Sequence, residues 1–403
     1  MQIIDITTNN KKFYPIGMYN NKIICKEIER QSLLSNSLYE AKCFYEYDIC
    51  KKTFKKIGRN NEKIYYYRYC YQYANSQHYI YYLTKDTHTH YNTYSLYEIE
   101  LESSKESKVY TFEVYEKYDV EIVPLNKRYF LAFYKERKNS LEVKGICKNI
   151  LNHNEAYLFD IKERKKYKIM DKNLVYGFKN ILLQTKIKNV MHLIFEETYL
   201  DAWEKEEIFN RFDVYKKKKR ILNDSIRIIS FDDFISGVKI GRKKLPFSIL
   251  DSKGFNGIVA FKGITFSTLF YIVKNFDDNN EKLVMVDKKN LKKKEIVIQY
   301  EDSDEVMYQD VIYNIKASDK RIVHQIFYDN KVYNKELFYG NKEFVYDFKF
   351  GRASDFIEGR YMITNSIKGK EHKKYTAIID TETNIIKEYE GESKVFNNIL
   401  VIY

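Results

Sequence analysis

The chain has 403 residues, of which 44% are hydrophobic and 31% charged, ordinary proportions for a soluble folded protein. No uninterrupted apolar run approaches the length of a membrane-spanning helix. The net charge of +13 admits a nucleic-acid or anionic-surface partner; Lys, Asn, Ile, Tyr and Phe also share AT-rich codons, and codon bias alone gives the same balance.

The 39 Tyr and 26 Phe, against 14 Gly and 3 Pro, point to strands, because aromatic side chains suit a pleated, half-buried surface. The five cysteines, Cys25, Cys43, Cys50, Cys70 and Cys147, are odd in number and form no CxxC pair. That argues against a disulfide framework and for free thiols in a reducing compartment. The N-terminal stretch MQIIDITTNN lacks the basic and apolar regions of a signal peptide, so a cytoplasmic location is expected.

One unit recurs along the chain: a strand ending in an acid, a polar turn, then a second short strand. The copies are IIDITTNNKKFYPI from Ile3, YEYDICKKTFKKI from Tyr45, LYEIELESSKESKVYTF from Leu96 and YLFDIKERKKYKI from Tyr157. They continue with RFDVYKKKKRIL from Arg211, VMVDKKNLKKKEIVI from Val284, VYDFKF from Val345 and IIDTETNIIKEY from Ile378. The anchoring acids are Asp5, Asp48, Glu98, Asp160, Asp213, Asp287, Asp347 and Asp380, on average about 54 residues apart, a spacing near that of propeller blades. Each acid can accept hydrogen bonds from turn N–H groups. The charged second strand suits an outer edge that must not recruit other chains.

Between these copies lies a second pattern, a short strand, then Asn, Lys or Gly, then a longer apolar strand. It occurs at MYNNKIICKEI from Met18, VPLNKRYFLAFY from Val123, YGFKNILLQTKI from Tyr176, VAFKGITFSTLFYIV from Val259, FIEGRYMITNSI from Phe356 and VFNNILVIY from Val395. These read as the inner strand pairs of four-stranded blades. The C-terminus stops after an inner pair and the N-terminus starts with an outer pair, so the two ends together complete one blade.

The expectation is an all-β chain, a single domain over residues 1–403. It forms one closed β-propeller of about eight blades, or seven, with the termini sharing a blade. The segment Asp224–Gly257 has no clear unit, and the copy at Val345 lacks a clear outer strand. The units resemble TolB-like and WD40-like propeller repeats, in which a pair such as Asn-Lys or Gly-Arg precedes an apolar strand and a later Y-x-x-D strand ends at a turn. The family's usual tryptophan and S-P-D-G turn are missing, and no functional residue is carried over.

Three segments break the pattern. TYLDAWEKEEIFNRF, Thr198–Phe212, holds the single Trp, Trp203, with Leu200, Ile208 and Phe212 at helical spacing. A short helical insertion there offers Tyr199 and Trp203 as interface anchors; the plainer reading packs Trp203 into its own blade. In KDTHTHYNTY, Asp86, His88 and His90 alternate and would share one face of a strand as metal ligands; the plainer reading is a solvated loop. The basic runs are KERKKYK from Lys162, KKKKR from Lys216, GRKKLP from Gly241 and KKNLKKKE from Lys288, and three of these fall in outer-edge turns. Arg242, Lys243 and Lys244 lie in the irregular segment and are the electrostatic candidates.

No GxSxG, HExxH, P-loop or GxGxxG is present, so no catalytic residue and no cofactor is assigned. The functional expectation is therefore a non-enzymatic scaffold for protein–protein interaction, with a protein partner bound by the loops and channel mouth of one face. The alternatives are an enzyme or small-ligand binder with its site in the channel, and a polyanion binder.

Overall fold

The structure is a computed structural model. It describes residues 1–8, 12–28, 41–58, 64–72, 77–136, 155–200, 222–253, 257–275, 280–300, 308–315, 320–337, 343–369 and 372–403. They divide into two compact units, one of Met1–Lys85, Leu96–Lys108 and Glu301–Tyr403, the other of Asp86–Ser95 and Val109–Tyr300.

The first unit is built of antiparallel meanders in which strands adjacent in sequence are adjacent in the sheet. Lys12–Tyr19, Lys22–Ile28, Ala41–Asp48 and Thr53–Ile57 form one such group. Tyr308–Ile315, Lys320–Tyr328, Lys331–Glu336 and Glu343–Asp347 form another. A further group is Arg352–Ile357, Tyr361–Lys368, Lys373–Asp380 and Ile386–Glu390. Ile64–Gln72 and Gln77–Thr87 pair antiparallel in the same unit.

The second unit repeats the pattern with Tyr118–Pro124, Tyr129–Glu136, Glu155–Asp160 and Lys165–Lys168. It repeats again with Phe178–Ile187, Val190–Leu200, Leu222–Ser230 and Ser248–Lys253. The last copy is Gly257–Ile264, Thr268–Asn275, Glu281–Asp287 and Lys293–Ile298. A mostly-β succession of four-stranded meanders is the sheet organisation of a β-propeller. Period-two alternation marks strands such as Lys12–Tyr19, which alternates buried and half-buried positions, whereas inner strands such as Thr268–Asn275 are buried on both faces. The outermost strands, such as Lys165–Lys168 and Ile386–Glu390, are charged and largely exposed, which blunts the sheet edge.

Hairpin chemistry follows the sequence closely at several inner pairs. Asn20-Asn21 and Glu358-Gly359 adopt positive φ at both turn residues, the geometry that two-residue hairpins favour and that Asn and Gly tolerate best. The acid-anchored turns form as expected at six places, among them Asp347, whose Oδ1 accepts from Lys349 N–H. Likewise Oδ1 of Asp5, Asp48, Asp160, Asp287 and Asp380 accepts from the backbone N–H two or three residues on.

Several expectations need correction. The N-terminus contributes one strand, not an outer pair: Gln2–Asp5 lies parallel to Ile399–Ile402, with Ile3 opposite Leu400, and Ser393–Phe396 completes a three-stranded sheet. Lys12–Tyr19 instead opens the next sheet, because Phe13 packs with Ile23, Cys25 and Tyr47. Asp224–Gly257 is not irregular. Leu222–Ser230 and Ser248–Lys253 are the outer strands of their sheet, and a helix, Phe231–Lys239, is inserted where the other copies have a turn. Ser230 caps that helix by accepting from Asp233 N–H, and Phe234, Ile235 and Val238 bury its apolar face.

Phe178–Ile187 is one strand, so the hairpin turn falls at Lys188-Asn189 and not within YGFKNILL. The copy at Val345 lacks an outer strand because Glu343–Asp347 is itself the outermost strand. Glu98 sits within the strand Tyr91–Glu100 and accepts from Tyr81 Oη, while Glu100, nearer the turn, accepts from Ser103. Asp213 lies outside the described residues.

Candidate functional site

In the first unit, the strands Lys12–Tyr19, Lys22–Ile28, Ile64–Gln72 and Ser393–Phe396, with the C-terminal Tyr403, bring together a cluster of aromatic and basic side chains. Tyr14 stands directly opposite Lys26 in the register of the first hairpin. Lys26 is 8% exposed, with its Nζ 5.1 Å from the centroid of the Tyr14 ring and 5.1 Å from that of Tyr67. Lys394 reaches the same Tyr14 ring at 5.2 Å, lies 5.6 Å from the Phe396 centroid, and donates to the Pro15 carbonyl at 3.3 Å. Tyr403 meets Tyr14 edge-on, 5.2 Å between centroids.

Each ammonium therefore sits over aromatic faces, yet among the described residues neither has an ion-pair partner. Burial pushes the Lys26 ammonium below the ordinary lysine range, and the Lys394 charge pushes it further the same way. Burial lowers Lys394 as well. Two cations held together without a counter-charge repel each other; an oxyanion between them would reverse that repulsion and restore hydrogen-bond partners lost from water.

The aromatic wall continues along the strand of Tyr67. Tyr69 donates to the Met18 carbonyl at 2.8 Å and lies 2.7 Å from His78 Nδ1. Its ring covers Gly17 so closely that an added Cβ would come within 2.6 Å of it. Burial pushes the His78 imidazole below its ordinary range. Nearby, Tyr19 donates to Glu46 at 2.6 Å, and Lys22 pairs with the same carboxylate at 2.6 Å.

The second unit holds a different polar centre. Glu197 is fully buried, 3.2 Å from Arg227 Nε. Desolvation raises its carboxyl to about 7, against the pull of Arg227 and with the help of the Asp171 charge. Asp171 is held in turn by the backbone N–H groups of Leu174 and Leu245. These bonds tie the turn after Phe231–Lys239 to the neighbouring helix Lys172–Gly177. This centre lies against the apolar cluster around Phe195, Phe234 and Leu245, and its geometry is that of a buried structural pair.

The residues singled out from the sequence are not brought together. Arg242, Lys243 and Lys244 are exposed in the turn after Phe231–Lys239, beside the 68% exposed Ile240. Asp86 lies at the end of the strand Gln77–Thr87, but His88 and His90 fall in the exposed turn that follows and not on one strand face. His88 stacks on Tyr91 at 4.6 Å, and among the described residues no group of three His, Cys, Asp or Glu could hold a metal. Tyr199, expected in a helix, lies in the strand Val190–Leu200 because Thr198–Leu200 pairs with Leu222–Asp224; Trp203 lies outside the described residues. Cys25 and Cys43 are buried free thiols and Cys50 is exposed. No helix among the described residues is long and apolar enough to cross a membrane.

Lys26 and Lys394 were missed by sequence reasoning. Each is a lysine within a short strand, Lys26 in KIICKEI and Lys394 in SKVF, and looks like any other lysine in a lysine-rich chain.

No family model matches the sequence, and no curated protein matches it. Among solved structures the chain is similar to the β-propeller domain of the Trilobed protease from Pyrococcus furiosus, at 9% identity over 96% of each chain with a TM-score of 0.43. It is also similar to the acylaminoacyl peptidase of Pyrococcus horikoshii, at 9% identity over 95% of this chain and 51% of that one, TM-score 0.42. A third is a quinonprotein alcohol dehydrogenase-like protein from Bacteroides thetaiotaomicron, at 10% identity over 92% and 82%, TM-score 0.42. The chain thus spans about half the length of the acylaminoacyl peptidase. Likeness at this identity concerns the fold alone. The expectation of a non-enzymatic scaffold for protein–protein interaction is corrected here: the similar structures are a protease's propeller domain, a peptidase and a dehydrogenase-like protein.

Proposed function

We propose that this chain is a β-propeller that binds a small oxyanion-bearing ligand between Lys26 and Lys394. The observation that carries the reading is the pair of ammonium groups over one Tyr14 ring with, among the described residues, no carboxylate paired to either. A carboxylate or phosphate would supply the missing charge, and the half-buried rings of Tyr14, Tyr67 and Tyr403 would shield it from water. Calorimetric titration with inorganic phosphate tests this. The expected result is binding to the parent protein that is weakened in both Lys26→Gln and Lys394→Gln; equal binding by all three proteins would refute it.

A single closed ring of eight blades, of the TolB-like or WD40-like kind, is part of the same proposal. Its support is the pairing of Gln2–Asp5 with Ile399–Ile402, and the completion by Leu222–Ser230 and Ser248–Lys253 of a sheet that seemed to lack its outer half.

A further inference from the structure

We infer that one end of the second unit docks on an anionic membrane surface, with Phe266, Ile240 and Val190 entering the headgroup layer and the basic side chains around them meeting lipid phosphates and carboxylates. Neither Lys26 nor Lys394 takes part, so this docking stands or falls apart from the oxyanion site.

In a four-stranded antiparallel meander the first and third connections emerge at the same end of the sheet. In the second unit these ends are tied to one another. Lys188 N–H donates to the Lys288 carbonyl at 3.1 Å, which joins the first turn of the sheet of residues 178–253 to the third turn of the sheet of residues 257–298. Lys239 ties the helix Phe231–Lys239, in the third connection of the 178–253 sheet, to the Asp160 turn of the sheet of residues 118–168 at 2.7 Å. Every connection at this end lies among the described residues.

Three apolar side chains project there. Phe266, in the turn between Gly257–Ile264 and Thr268–Asn275, is 92% exposed; Ile240 is 68% exposed and Val190 48%. Singly, such residues need no explanation. Here they gather at the joined ends of two sheets, and each stands beside basic residues. Val190 follows the exposed Lys188, and Ile240 precedes the exposed Arg242, Lys243 and Lys244. Lys288 Nζ lies 5.9 Å from the centroid of the Phe266 ring, and the next residue, Lys289, is exposed.

The acids at the same end are mostly engaged inside the protein. Glu163 accepts from Arg128 and Lys239, Asp233 accepts from Ser230 Oγ, and Asp287 accepts from the N–H groups of Lys289 and Asn290. Asp232 is exposed in the first turn of the helix. The outward charge is therefore mainly positive and complements an anionic surface. A lipid surface fits better than a protein. A protein interface buries a contiguous apolar core inside a polar rim, whereas these apolar side chains sit on separate turns with polar neighbours, Thr265 and Ser267 around Phe266 and Arg242 after Ile240. A bilayer takes up separate apolar tips at the boundary of headgroups and acyl chains, while the lysines stay with the anionic headgroups.

Co-sedimentation of the full chain with vesicles of mixed phosphatidylserine and phosphatidylcholine, against vesicles of phosphatidylcholine alone, tests the inference. The expected result is binding to the phosphatidylserine vesicles only, weakening as salt rises. Phe266→Ser should weaken it by about tenfold, and Lys243→Gln combined with Lys244→Gln by about fivefold for each charge removed. These side chains are exposed, so the variants should melt at the same temperature as the parent protein. Binding to neither kind of vesicle, equal binding to both, or binding indifferent to Phe266→Ser would overturn the inference. Soluble poly-glutamate is the probe for an acidic protein. If it binds through Lys243 and Lys244 while the vesicles do not, this end recognises a protein and the lipid reading is wrong.

Discussion

Lys239, the last residue of the helix Phe231–Lys239, places its Nζ 2.7 Å from Asp160 Oδ2, at the turn of a different sheet. The same fully buried carboxylate receives two hydrogen bonds from Arg128, at 2.9 and 2.8 Å. Desolvation pushes the Asp160 carboxyl up, but the bonds from Arg128 and Lys239 and the Glu163 N–H bring it well below the usual carboxylate range. Its contribution to stability is therefore present above the unfolded carboxylate value and lost as pH falls through the lower folded one. Asp160→Asn leaves two cations facing an amide and should cost about 3 kcal/mol in urea unfolding near neutral pH. Lys239→Met, which removes a partly exposed partner, should cost about 1 kcal/mol. A loss below about 0.5 kcal/mol for Asp160→Asn would show that the clasp does not hold the helix.

Glu197 gives the opposite pH dependence. Its carboxyl is raised by burial to about 7, above the unfolded value, so the folded state holds the proton more tightly. The stability linked to that proton is full below the unfolded carboxylate value and is lost as pH rises through about 7. Glu197→Gln fixes the neutral form. The parent protein should lose about 3 kcal/mol relative to this variant between about pH 5 and about pH 9. Parallel stability curves for the two proteins would mean that Glu197 is ionised throughout, balanced by Arg227.

How far the sequence foretold these features depends on the range of the interaction. Asp48, Asp160, Asp287 and Asp380 bind N–H groups two or three residues away, so their turns were legible from local pattern alone. The pairing of Arg128 with Asp160, and of Arg360 with Asp380 at 3.0 and 2.6 Å, gives a physical meaning to the basic residue before an inner strand and the acid that follows. The helix after Ser230 carries a local signal, the Ser230 cap on Asp233 N–H and the apolar spacing of Phe234, Ile235 and Val238, which the expectation passed over; only its packing against Leu245 is long-range. The parallel strand Gln2–Asp5 was misassigned because IIDITTNNKKFYPI looks like a hairpin, and only the distant Ile399–Ile402 decides its partner. Lys26 and Lys394 lie far apart in the chain and were legible only once both had reached Tyr14.

Gly17 shows a close approach of the same long-range kind. The strand bulges between Pro15 and Gly17, and the Tyr69 ring fills the space a side chain would need. Gly17→Ala should destabilise the protein by about 1–3 kcal/mol through overpacking. In a Tyr69→Ala background the same change should cost much less, because the clashing ring is gone. Equal penalties in both backgrounds would place the strain in the backbone and not in the contact with Tyr69.

Oxyanion binding at Lys26 and Lys394 should carry its own pH signature. Both ammonium groups are lowered by burial, and Lys26 additionally by the Lys394 charge, so each gives up its proton at lower pH than a surface lysine. Phosphate affinity should therefore fall as the solution becomes alkaline, before ordinary lysines titrate. Lys394→Gln removes one cation and relieves the repulsion on the other, so Lys26 should then titrate at higher pH even though phosphate is bound more weakly. Tyr14→Ala should weaken binding with both charges retained, because the ring that holds the two ammonium groups together is lost. The test is calorimetric affinity measured across the alkaline range for the three proteins. A single pH-independent affinity would mean that phosphate is held elsewhere, whereas an alkaline loss shared by the parent protein and Tyr14→Ala, shifted in Lys394→Gln, would tie binding to these two amines.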